Sequence, residues 1–156
     1  MHRTALALSF LLVPVACNAF NVQGFTTNMP KQVVLATAEK SYKLVSIDEN
    51  TVVANAPNGG YLSFNFCEQK LVSVQQGFTA NLRQVTLLMS AFKATYGNPV
   101  LTNAGTRAHS SGTIYEWGTW WNAGQEYVSL YYMGSEQSES LSTSHQAKNK
   151  CFKVPR

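Results

Sequence analysis

Acidic groups are scarce in this chain. Asp and Glu number eight in 156 residues, with Asp48 the single aspartate, against twelve Lys and Arg, giving a formal net charge of +4. Paired carboxylates for acid and base catalysis would have to come from Asp48, Glu49, Glu68, Glu116 or Glu126. Histidine is scarcer still, with three in all, and only His109 and His145 lie beyond the leader. No His or Cys recurs at the short spacing a zinc site needs, so no metal and no cofactor is expected. Cys-x-x-Cys is missing, and no nucleophile elbow accompanies the serines near His145. Asn58-Gly59-Gly60 precedes a strand-like run, whereas phosphate cradles lead into a helix. Basic residues gather only near the end, at Lys148, Lys150, Lys153 and Arg156, which argues against a nucleic-acid partner. Together these absences remove the usual catalytic classes, and the chain is expected not to be an enzyme.

One apolar run stands out, at the start. His2 and Arg3 precede Ala5–Val13, then Pro14, then small residues ending in Cys17-Asn18-Ala19. The run is shorter than the roughly 20 residues that span a bilayer, and the pattern reads as a secretory signal peptide over 1–19, cut before Phe20. The other reading makes Cys17 a lipidated first residue, the only route to a membrane here. Loss or lipidation of Cys17 leaves Cys67 and Cys151 to pair in an oxidising compartment. Their loop of 84 residues corresponds to about 4.6 kcal/mol of chain entropy. A secreted or periplasmic location follows from both observations, with an outer-membrane or cell-surface lipoprotein as the variant.

The sequence also says one thing twice. Gly24-Phe25-Thr26-Thr27-Asn28-Met29-Pro30-Lys31-Gln32-Val33-Val34-Leu35 recurs as Gly77-Phe78-Thr79-Ala80-Asn81-Leu82-Arg83-Gln84-Val85-Thr86-Leu87, with Pro30 left over. Seven positions are identical, and a period of about 50 residues predicts two copies of one supersecondary unit. Leu82, Val85, Leu88 or Met89, Phe92 and Tyr96 keep helical spacing, with Thr79 or Asn81 as cap and Gly97 with Pro99 as stop. A weaker helix is predicted from about Pro30 to Lys40. Strands follow each helix: Lys43–Ile47 and Thr51–Ala54 around Asp48-Glu49-Asn50, then Leu62, Phe64 and Phe66 on one face with Ser63 and Asn65 on the other, then Leu71–Gln75 with Val72 and Val74 inward.

Laid on this pattern, the second copy places strands at Thr113–Trp121 and Glu126–Met133. Tyr115, Trp117, Val128, Leu130 and Tyr132 are assigned to the core; Ile114, Glu116, Gly118, Trp120, Tyr127, Ser129 and Tyr131 take the other face. Thr106–Gly112 and the serine-rich 134–140 read as loops. The predicted fold is α+β: two tandem helix-plus-antiparallel-sheet repeats, 20–76 and 77–133, packed as one compact unit, then a polar linker and tail, 134–156, stapled by Cys67–Cys151. Rings with polar tips at Trp120, Tyr127 and Tyr131, with Glu116 beside them, are what protein contacts and sugar stacking both use. The same rings would also suit packing against the other repeat or under the tail.

The doubled Gly-Phe-Thr-x-Asn motif, the Tyr96-Gly97-Asn98-Pro99 helix exit and the strands around Trp117 make the chain resemble beta-lactamase inhibitory protein-like architectures. It is also similar in plan to small outer-membrane assembly lipoproteins of the SmpA/OmlA type. The resemblance implies an exposed hairpin acid and aromatic rings on an open sheet that contact a protein, with Asp48, Trp120 and Tyr131 as loose counterparts. The expected function is therefore non-enzymatic binding of another secreted or envelope protein. The alternatives are an envelope-associated assembly or structural lipoprotein, and a glycan-binding module or small hydrolase using Glu116 with Trp120.

Overall fold

The structure is a computed structural model that describes residues 19–79, 81–110 and 112–153. Residues 1–18 of the expected signal peptide, including Cys17, and Arg156 of the basic tail lie outside the described residues. A small hairpin, β1 (Asn21–Val22) and β2 (Phe25–Thr26), leads into α1 (Lys31–Ala38). Four strands follow: β3 (Lys43–Ser46), β4 (Thr51–Asn55), β5 (Tyr61–Cys67) and β6 (Lys70–Thr79). Helix α2 (Leu82–Tyr96) then precedes β7 (Leu101–His109), β8 (Gly112–Ala123), β9 (Glu126–Gly134) and β10 (Glu139–Ala147).

These eight longer strands form one antiparallel sheet in the order β3-β4-β5-β6-β10-β9-β8-β7. The join in the middle is β6 against β10, from Ser140 opposite Thr79 to Gln146 opposite Ser73. The predicted α+β class of helix-plus-sheet repeats is thereby overturned: among the described residues strand accounts for 53 % and helix for 17 %, the two helices are short, and the fold is mostly β. The physical cause lies in two segments assigned to loop and linker. Leu101–His109 and Glu139–Ala147 are both nine-residue strands. The second fills the gap between β6 and β9, so what reads as two sheets closes into one.

Both helices cover the same face. Val34 and Ala38 of α1 pack on Val52, Ala54, Leu62, Phe64, Phe66, Leu71 and Val74. Val85 of α2, with Leu88, Met89 and Phe92, packs on Trp121, Leu130 and Leu141. Asn81 caps α2 through a reciprocal pair: its Oδ1 accepts from the Gln84 N–H at 3.2 Å, while Gln84 Oε1 accepts from the Asn81 N–H at 3.0 Å. At the other end Gly97, at φ 80°, stops the helix, and its carbonyl accepts the Trp121 indole N–H at 3.0 Å.

Two core assignments change. A bulge between Asn65 and Phe66 sets Phe66 opposite Leu71, so Leu71 and not Val72 joins Val74 in the main cluster. Tyr115 lies beyond the cover that α2 gives to Trp117 and Tyr132, and is 54 % exposed. Cys67 and Cys151 form the expected disulfide, with Cα atoms 5.8 Å apart, which is compatible with an extracellular location. Among the described residues no helix is long and apolar enough to cross a membrane.

Candidate aromatic recess on the open sheet face

Because side chains alternate, the face away from the helices carries Glu116, Gly118 and Trp120 from β8, and Tyr127, Ser129 and Tyr131 from β9. No helix covers it. Register brings Gly118 opposite both Tyr131 and Asn103, and Glu116 opposite Gly105. A Cβ on Gly118 would stand 2.7 Å from Cη2 of Trp120 and 3.0 Å from Cδ2 of Tyr131. The missing side chain is the seat on which both rings lie. Around them is a recess of about 280 Å³ lined also by Asn103, Ala104, Gly105 and Glu116.

Glu116 is tied into this recess from two sides. The Tyr131 hydroxyl donates to Oε2 at 2.5 Å, and Arg107 Nε stands 3.7 Å from the same oxygen. Oε1 lies outside both contacts. Tyr131 is pushed up from 10.0 to about 12, first by burial, then by its hydrogen bond to Glu116 and that carboxylate's charge, with Arg107 opposing. The phenol therefore stays protonated as a donor throughout the ordinary pH range. Among the described residues Glu116 is the one carboxylate lining the recess.

Of the residues expected at the site, Glu116, Trp120 and Tyr131 meet in the recess. Tyr127 shares their face but lies nearer the end of β9, with the Lys148 ammonium 5.3 Å from its ring centre. Asp48 does not join them. It sits in the β3–β4 turn at the opposite edge of the sheet, where its carboxylate accepts the Asn50 N–H at 2.7 Å. Arg107, Asn103 and Gly105 were missed because β7 alternates among small and polar residues, with no apolar face to reveal a strand. His145 lies on the helix-covered face, its Nδ1 3.0 Å from Glu126 Oε2, away from any serine nucleophile arrangement. Among the described residues no group of three or more His, Cys, Asp or Glu could hold a metal ion.

The centre of the open face is neutral. Its centre carries Ser63, Ser73, Gln75, Ser142, Ser144 and Ser129, between Tyr61 on β5 and the rings on β8 and β9. Gln75 Nε2 donates to Ser142 Oγ at 2.9 Å and to the Tyr61 hydroxyl at 3.3 Å, bridging the two halves across the β6–β10 join. No protein-family model, no curated protein and no solved structure matches this chain.

Proposed function

We propose that this chain is a secreted or periplasmic, non-enzymatic binding protein that captures another protein on the open face of its sheet. The observation that carries the reading is the pair of rings, Trp120 and Tyr131, settled over Gly118 beside Glu116 on a face that neither helix covers. Rigid rings provide contact area at small entropic cost, and Ser, Asn and Gly around them provide adaptable hydrogen bonding, the mixture used by protein-recognition surfaces. The Glu116 carboxylate beside the ring pair, with Oε1 outside its contacts to Tyr131 and Arg107, favours a partner loop that inserts a Lys or Arg side chain, held by charge and by the ring faces. The signal-peptide pattern and the Cys67–Cys151 bridge support the compartment.

The test is affinity capture from the extracellular and envelope fractions of the source cells, with the retained protein identified and its binding then measured in purified form. Trp120→Ala and Tyr131→Ala should each weaken that binding about 30-fold or more, as for an interface anchor of roughly 2 kcal/mol, with far-UV circular dichroism unchanged. Full affinity in both variants would refute the placement.

A further inference from the structure

A second cavity with a different set of lining residues lies where the β5–β6 ladder ends at Tyr61 opposite Gly77. Its volume is about 350 Å³, within the range of small-molecule sites. The wall is built from four separate segments: Gln23 of the β1–β2 turn, Tyr42 after α1, the Asn58-Gly59-Gly60 turn, and the end of β6. We propose that this cleft binds a neutral sugar residue.

The argument starts from charge. No Asp, Glu, Lys, Arg or His lines the cleft. An ionic ligand would enter without a counter-charge, at a desolvation cost that nothing in the wall offsets. What the wall does supply is three carboxamides, Gln23, Asn58 and Gln76, and the Tyr42 phenol. Carboxamides and phenols both donate and accept, which matches the dual character of alcohol hydroxyls. Several of these groups retain capacity. Tyr42 donates to Gln23 Oε1 at 3.1 Å, leaving the Gln23 NH₂ as a donor. Asn58 Oδ1 accepts the Gly60 N–H at 3.3 Å, leaving its NH₂ likewise. The side chain of half-buried Gln76 has no hydrogen-bond partner among the described residues.

Apolar surface of the right kind is present beside these groups. Tyr42 and Phe78 contribute rings, against which the C–H face of a pyranose can lie. The Tyr42 hydroxyl and Gln23 Oε1 are already tied to each other at 3.1 Å, so part of the wall is ordered before a ligand enters, which limits the entropic cost of binding.

The experiment is titration of the oxidised protein, from Phe20 onward, with maltohexaose, cellohexaose and chitohexaose, followed by calorimetry and by amide shifts at Gly59, Gly60 and Gly77. A polygalacturonate hexamer serves as the charged comparison. At least one neutral hexamer should bind and shift those amides. Gln76→Ala should weaken that binding about tenfold, the effect of one lost polar contact of roughly 1.4 kcal/mol. Gln23→Asn should do the same, and Asn is suited to the φ of 51° at that turn. Trp120→Ala should leave it unchanged, which separates this site from the aromatic recess. Binding by none of the three neutral hexamers, stronger binding of the charged one, or wild-type affinity in both glutamine variants would overturn the proposal.

Discussion

The Tyr131 hydroxyl meets Oε2 of Glu116 at 2.5 Å, across two neighbouring strands whose direct partners are Gly118 and Met133. The contact is diagonal in the antiparallel ladder, a reach that only long side chains make. It fixes the carboxylate between the ring pair and Arg107, and so sets both the polarity and the shape of the recess.

The first expected consequence is a late-titrating tyrosine. Absorbance at 295 nm, compared between wild type and Tyr131→Phe, should show this phenol ionising at about 12, after a tyrosine of ordinary value 10.0. The shift is upward, so the folded chain holds this proton more tightly than the unfolded chain does. Its contribution to stability is complete below pH 10.0 and is lost as pH climbs through about 12. Glu116→Gln should bring the value down without restoring it, because burial is the larger cause. A Tyr131 that titrates at the ordinary value in wild type would show that the contact does not hold in solution.

A second consequence concerns the ring seat. Gly118→Ala introduces a Cβ 2.7 Å from one ring and 3.0 Å from the other, so Trp120 must lift from the sheet. The strand itself tolerates alanine, and the loss of stability in urea should stay near 1–3 kcal/mol. Acrylamide quenching of Trp120, isolated by difference from a Trp120→Phe protein, should rise. Unchanged quenching would mean that the rings do not rest on Gly118.

How far the sequence discloses this structure depends on which strands carry an apolar face. β5, β8 and β9 alternate rings and aliphatics with polar residues, and their positions and facing agree with the expectation at Phe64, Trp117, Val128 and Leu130. β10 reads Glu-Ser-Leu-Ser-Thr-Ser-His-Gln-Ala, with Leu141 and Ala147 as its buried apolar side chains, and serine content there signals linker instead of a central strand. Its partners, not its own propensity, make it a strand. The doubled motif misleads in another way. Gly24 sits in a tight turn at φ 86° with open space around it, whereas Gly77 lies extended in β6 beneath the Tyr61 ring. One sequence thus serves a turn in one place and a close packing contact in the other. At the recess, Glu116, Trp120 and Tyr131 were readable from alternation, but Arg107 depends on a pairing between β7 and β8 that no local signal announces.

Removal of the disulfide should act through the chain's end. Cys151 follows the central strand β10, and Cys67 closes β5, so the bridge ties 84 residues of chain across the β6–β10 join. Chain entropy sets the loss at about 4.6 kcal/mol as an upper figure, since the reduced chain keeps residual order. The Lys150–Glu68 ion pair beside it is fully open to water and does not substitute for the bond. Cys67→Ser with Cys151→Ser should lower the free energy of unfolding in urea by about 4 kcal/mol at most and steepen the slope, because the denatured chain without the cross-link exposes more surface. A double variant as stable as the oxidised wild type would contradict this.

The remaining expectation isolates the other ring seat by a double-mutant cycle. In wild type the Tyr61 ring occupies the space directly above Gly77, so Gly77→Ala cannot be accommodated until the ring swings away and its hydroxyl leaves Gln75. Overpacking of this kind costs about 1–3 kcal/mol, and the lost hydrogen bond adds about 1 kcal/mol. Tyr61→Ala empties the same space, so alanine at position 77 then meets no ring. The two changes should be strongly non-additive: Gly77→Ala destabilises wild type but is neutral, or stabilising through a less flexible unfolded chain, in the Tyr61→Ala background. Urea unfolding of the four proteins measures the coupling directly. Additive effects would show that Tyr61 does not lie on Gly77.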